Sequence, residues 1–245
     1  MRNLEFIRAD WPAPPQVRAV TTTRLGGVSS GPYASFNLGD HVGDVPDRVR
    51  ANRARLGETL GLGAPPLWLR QVHGTRVVDV GQAVEGTEAD GIVSAESGRA
   101  CAVLTADCLP ILLCDRAGTR VAALHAGWRG LAAGIVEAGV RAMRAPAPAL
   151  FAWLGPGIGR TAYEVGDEVR EAFAERDPGA AAAFTRSPRG RWMADMYALA
   201  RRRLNAAGVV AVYGGEYCTA SQEALFFSYR RDGTTGRMAS LIWLG

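Results

Sequence analysis

With 245 residues, 48% of them apolar, the chain has enough material for a sizeable core in one large domain or two small ones. Its formal charge of +4 is carried by arginine alone, since no lysine occurs, and this excludes Schiff-base chemistry, a pyridoxal-phosphate lysine and a Walker-A phosphate loop. The arginines are interspersed with acids, so no nucleic-acid partner is expected, and Arg201, Arg202 and Arg203 read as one helix face.

In chain order, the N-terminal segment from Met1 to Pro12 has no apolar signal core. No later stretch reaches the length of a membrane span free of Gly, Pro or charge, so a cytoplasmic protein without a membrane partner is expected. Residues 17–23 read as a strand. The loop Arg24-Leu-Gly-Gly-Val-Ser-Ser-Gly-Pro follows, and its paired glycines, hydroxyls and arginine suit either an anion or an ordinary surface turn. Residues 47–62 predict a helix with Val49, Leu56 and Leu60 as a partial apolar stripe. Residues 67–73 predict a short strand ending on His73, with 75–80 as its hairpin partner around Gly74.

The stretch from Cys101 to Arg129 organises the rest. Its two apolar runs end on ligand-capable side chains, Asp107 and Cys108 on the first and His125 on the second. Buried strands usually finish in Gly, Asn or Ser turns, so a thiol and an imidazole at neighbouring strand ends mark a site. Beyond it, residues 130–143 predict one buried, Ala-rich helix, 150–154 a strand, 163–176 and 196–207 helices, and 209–213 and 238–243 strands. Gly155-Pro-Gly-Ile-Gly-Arg resembles a dinucleotide fingerprint only loosely, because the spacing is wrong and Pro156 intervenes, so a tight turn beside the site is expected. No repeat or linker divides the chain, which predicts a single α+β domain over 1–245.

Cys101, Cys108, Cys114 and Cys218 form no Cys-x-x-Cys pair and, in a reducing compartment, are expected to be thiols. The residue types leave two chemistries open. His73, Cys108 and His125 form a donor set suited to catalytic zinc, with copper as the alternative metal. The same Cys108 and His125 suit a nucleophile and base, with Asp107 or another acid orienting the imidazole. His41 is a third candidate ligand, read as an exposed loop histidine. The His-x-Glu with Pro-Cys-x-x-Cys pattern of the zinc nucleobase deaminases is missing, so any deamination needs another framework.

The motifs Thr22-Thr-Arg-Leu-Gly-Gly-Val-Ser, Asn37-Leu-Gly, Gln71-Val-His-Gly, Ala89-Asp-Gly, Thr105-Ala-Asp-Cys-Leu-Pro, His125-Ala-Gly-Trp-Arg-Gly, Gly155-Pro-Gly-Ile-Gly and Phe227-Ser-Tyr-Arg-Arg-Asp-Gly, with Thr235-Gly-Arg, run through nearly the whole chain. In this order they resemble the laccase-domain family, also called multicopper polyphenol oxidoreductases, purine nucleoside phosphorylases of that fold, or peptidoglycan editing factors. The resemblance implies a mixed β-sandwich core flanked by helices, of the cytotoxic-necrotizing-factor-like kind. It also implies a zinc or copper held by His73, Cys108 and His125.

For function, the resemblance implies phosphorolysis of adenosine, inosine and methylthioadenosine with adenosine deamination; a hydrolase editing peptidoglycan precursors and a copper-dependent phenol oxidase are the alternatives. Multicopper oxidation would need many more histidines than three. The expected partners are a purine nucleoside and phosphate, with no obligate protein. The expected substrate and phosphate contacts are Arg24, Arg129, Asn37, Tyr229 and Arg230. Arg24 is assigned to phosphate because an arginine at a strand end before two glycines lets side chain and backbone converge on one anion.

Overall fold

The structure is a computed structural model that describes residues 3–245; Met1 and Arg2, which open the N-terminal segment read above, lie outside the described residues. Two sheets form its centre. The first is antiparallel, in the order Phe6–Arg8, Val17–Thr22, Met238–Leu244, Cys101–Thr105. The second has six strands, in the order Ala211–Gly214, Leu150–Leu154, Leu109–Asp115, Val121–Ala126, Gly91–Ser94, Val77–Asp79; its inner pairs are antiparallel and its two edge pairs parallel.

The sheets pack face to face. Val17, Cys101, Val103, Ile242 and Leu244 of the first meet Leu112, Cys114, Val121, Ala123, Phe151 and Trp153 of the second. Because side chains alternate along a strand, Ile111, Leu113 and Leu124 point the other way. They are covered by the helices Trp128–Ala133, Ile135–Ala142, Asp167–Ala174 and Met196–Ala206. Helix Pro46–Leu60 covers the outer face of the first sheet through Leu56 and Leu60, which pack with Leu104, Leu241 and Trp243. Both faces of the central strands are therefore dry, and this is why they read as continuous apolar runs. Each fully buried Leu or Ile contributes roughly 1.5–3 kcal/mol relative to exposure. The expected sandwich flanked by helices is the fold that forms.

Three local expectations are corrected. Residues 67–80 make no hairpin: only Arg70 bridges to Glu88, and Val77–Asp79 pairs in parallel with Gly91–Ser94. The helix expected over 130–143 is broken at Gly134, whose left-handed φ of 113° ends one helix and starts the next. The helix expected from 163 starts at Asp167, because Glu164–Val165 pairs with Trp192–Ala194 in a small third sheet completed by Phe184–Arg186. Among the described residues no helix is long and apolar enough to cross a membrane.

Candidate active site

The site lies where the second sheet's strands end. His125 sits one residue from the end of Val121–Ala126, and Cys108 immediately precedes Leu109–Asp115, which pairs antiparallel with it. The ladder therefore places the thiol and imidazole at the same sheet edge. His73 arrives from a loop instead of a strand. Its φ is 61°, in the left-handed region that residues other than glycine seldom occupy. The amides of Val72, His73 and Gly74 donate to the Asp90 carboxylate at 3.2, 2.9 and 2.7 Å, and the chain curls around that anion instead of continuing as a strand. Gln71 fastens the loop to the first sheet: its side-chain amide donates to Leu104 O at 2.8 Å and accepts from Leu104 N at 2.7 Å.

The donor atoms of His73, Cys108 and His125 all lie within 4.8 Å of one another, graded from exposed to buried. Cys108 Sγ is 3.8 Å from His73 Nε2. His125 Nδ1 is 2.8 Å from Asp90 Oδ1, which leaves Nε2 as the nitrogen free for a ligand. Burial opposes charge on Cys108, but the positive charge on His125 and hydrogen bonds to both histidines outweigh it and bring the thiol down to about 6. Burial likewise opposes charge on His125, and the Cys108 and Asp90 anions raise it to about 9. Each partner thus favours the charged form of the other, the thiol shifted down and the imidazole shifted up. A deprotonated soft sulfur and two imidazoles within this span fit zinc, and three protein ligands leave a position open for a substrate or water.

A cleft of about 840 Å³ opens over the three residues, with His41, Trp68, Arg70, Gln71, Tyr229 and Arg237 among those lining it. All three histidines of the chain line this one cleft. Burial lowers the pKa of Arg237, and the nearby anionic Cys108 and Asp107 pull it back up. Arg70 is paired with Glu88, whereas Arg237 lines the cleft with its Nη1 donating to Thr235 O and Gly236 O at 3.1 and 3.0 Å and no carboxylate paired to it among the described residues.

Of the expected substrate contacts, only Tyr229 lines the cleft, with its side chain largely exposed. Arg24 does not line it: its Nε donates to Ala34 O at 3.0 Å, its Nη1 to Glu223 O at 3.3 Å, and the guanidinium covers the Phe227 ring. The glycine-rich loop after the strand folds back on this arginine, which places Arg24 away from the cleft that holds His73, Cys108 and His125. Asn37 is fully buried and also off the cleft surface. It donates to Gly39 O and Asp44, and accepts from the Gly39 and Arg237 amides, so it props up the wall that carries Arg237. Arg129 packs over Trp128, and Arg230 over Tyr163 with its Nη1 on Glu164 O, both outside the cleft lining.

Asp107 does not orient the imidazole. Its carboxylate accepts from Thr219 Oγ1 and the Arg230 amide, each at 2.6 Å, and latches the 219–230 segment beside Cys108. Asp90 takes the orienting role. Its signals in the sequence were an acid directly before a buried apolar strand and its place in the Ala89-Asp-Gly motif. His41, read as a loop histidine, belongs to the cleft wall, and Arg237 had no signal beyond its short motif.

Residues 18–245 match the family described as multi-copper polyphenol oxidoreductase laccase. The chain belongs to this family. The laccase-domain resemblance read from the motifs is borne out. A Pseudomonas aeruginosa protein named purine nucleoside phosphorylase is 55% identical over 240 residues, 98% of each chain. An Escherichia coli protein of that name is 52% identical over 241 residues, 98% of this chain and 99% of its own. The crystal structure of a Neisseria meningitidis protein matches this laccase-domain chain with a TM-score of 0.94 at 54% identity, covering 98% of both chains.

Proposed function

We propose that this protein is a metal-dependent purine nucleoside phosphorylase, a single catalytic domain acting in the cytoplasm on adenosine, inosine and methylthioadenosine, with adenosine deamination as a second activity. The observation that carries the reading is the meeting, in one cleft, of the His73, Cys108 and His125 donor set with Arg237 and Tyr229. The names of the relatives, half-identical over their whole length, support the same reading. The cleft volume is in the range that holds a nucleoside together with an anion.

His73, Cys108 and His125 would hold the metal, for which zinc is the best match and copper the alternative. Zinc would supply a Lewis acid with an open position. The remaining chemistry falls to the chain's own groups. Asp90 keeps the His125 ring oriented. Arg237 offers positive charge to the phosphate, and the exposed Tyr229 ring offers a face to the base.

Phosphate attack at the ribose C1′ breaks the bond to purine N9, and the purine takes the electron pair. A proton delivered to N7 eases its departure. We assign that proton to the His41 imidazole, which lines the cleft and has Asp40 3.5 Å from its Nδ1.

The test is to incubate the metal-loaded protein with a nucleoside panel, with and without phosphate, and separate the products by chromatography. Free base and ribose 1-phosphate are expected only with phosphate, and inosine from adenosine in either case. Absence of phosphate-dependent base release would overturn the phosphorylase reading.

A further inference from the structure

We propose that Asp90 is the positioning residue that couples the placement of His73 to the tautomer of His125, and so sets how tightly the three-residue site holds zinc. This rests on the metal-dependent reading above and adds to it a residue outside the donor set.

Asp90 directly precedes the strand Gly91–Ser94, which pairs antiparallel with Val121–Ala126 in the register Gly91↔Leu124. The next pair along that ladder is Asp90 with His125, and the His125 amide donates to Asp90 O at 2.7 Å. The carboxylate is thereby held beside the imidazole before any side chain chooses a rotamer.

Asp90 is fully buried and His125 nearly so. A buried carboxylate is costly unless its acceptor sites are filled, and these are. Oδ1 receives His125 Nδ1 at 2.8 Å and the His73 amide at 2.9 Å; Oδ2 receives the Val72 and Gly74 amides at 3.2 and 2.7 Å. Four donors from two segments therefore depend on one anion. The amides hold His73 in a backbone conformation that it would otherwise leave. The imidazole contact fixes the proton of neutral His125 on Nδ1 and turns the Nε2 lone pair toward Cys108 and His73.

The isosteric amide cannot do both. In Asp90→Asn, the NH2 group must replace one of the two oxygens. If it replaces Oδ2, two N–H donors face it and the His73 turn loses two of its three anchors. If it replaces Oδ1, it faces the His73 amide and asks His125 Nδ1 to accept, which moves the imidazole proton to Nε2. Each outcome weakens one histidine ligand.

The experiment measures zinc affinity by competition with a chromophoric chelator, starting from metal-free protein. Wild type, Asp90→Asn and a control, Asp115→Asn, are compared. Asp115 is another buried carboxylate, holding the turn through Thr119 and Arg120 and not lining the cleft. Asp90→Asn is expected to bind zinc about 10- to 100-fold more weakly, with Asp115→Asn close to wild type.

A two-bond proton–nitrogen spectrum of zinc-loaded wild type supplies a readout that needs no variant. His125 is expected to carry its proton on Nδ1 and the metal on Nε2. Wild-type zinc affinity in Asp90→Asn, or metal on His125 Nδ1, would overturn the proposal; if Asp90→Asn does not fold, the wild-type spectrum decides. A wild type that takes up no zinc overturns the metal-dependent reading itself and this inference with it, and the wild-type titration alone identifies that case.

Discussion

The sulfur of Cys108 lies 3.8 Å from His73 Nε2, with the buried His125 imidazole as its other neighbour. Burial alone would raise this thiol, but the His125 charge and the hydrogen bonds to both rings bring it to about 6, whereas burial raises Cys114 to about 12. A lowered thiol pKa means that the thiolate predominates above that pH. In metal-free protein, alkylation of Cys108 by iodoacetamide is therefore expected to rise through about pH 6 and level off near neutrality, while an ordinary thiol is still climbing. Zinc should suppress the reaction, because the sulfur lone pair is then committed to the metal. Peptide mapping of the alkylated protein checks both points.

Gly127 tests whether the site needs its present spacing. A methyl group there would stand 2.6 Å from His73 Cδ2 and 3.2 Å from Cys108 Sγ, so the exposed His73 ring must move. Its backbone, at φ −64° and ψ 160°, suits alanine. Gly127→Ala is expected to fold normally by circular dichroism and to lose most of its zinc in elemental analysis. Full zinc retention would mean that the His73 ring can shift without losing its place at the metal.

His41 is assigned the proton that eases purine departure. Burial and the Arg237 charge lower its pKa, partly offset by Asp40, so its acid form is depleted as pH rises. Phosphorolysis of inosine is accordingly expected to fall with rising pH more steeply than that of 7-methylguanosine, whose cationic base leaves without a proton. His41→Gln is expected to lose about 10²–10⁴-fold on inosine and only a few-fold on 7-methylguanosine. Equal losses on both substrates would give His41 a binding role instead.

Arg24 is held by contacts within its own part of the fold, away from the cleft. Its guanidinium ties the Gly-rich loop to Ala34 O and Glu223 O and covers Phe227. Arg24→Leu is expected to leave the phosphate dependence of the rate unchanged and to lower stability by about 1–2 kcal/mol in urea unfolding. A raised KM for phosphate would return this arginine to the substrate site.

The sequence was most informative where one local signal decided the structure. The apolar runs around Cys108 and His125 are strands because both faces are covered, and their polar ends mark the sheet edge where the site lies. The motifs identified the family over most of the chain. The loop around His73 was not legible, because a buried anion 17 residues away along the chain dictates its turn, and no local propensity records that. The split at Gly134 has no local signal beyond the glycine itself, because the flanking segments both favour helix and the left-handed angle that ends one is only permitted, not required, by the residue. Among the arginines, residue type and neighbouring glycines could not separate one that lines the cleft, Arg237, from one that lies away from it, Arg24. Pattern thus pointed to a single α+β domain with a site at the strand ends, and the family motifs implied the sandwich and the three-residue donor set; tertiary contact alone decided that Asp90 contacts His125, that Arg237 and His41 line the cleft, and that Arg24 does not. Hydrophobic periodicity is written residue by residue, whereas the partner of a long polar side chain is chosen only once distant segments have met.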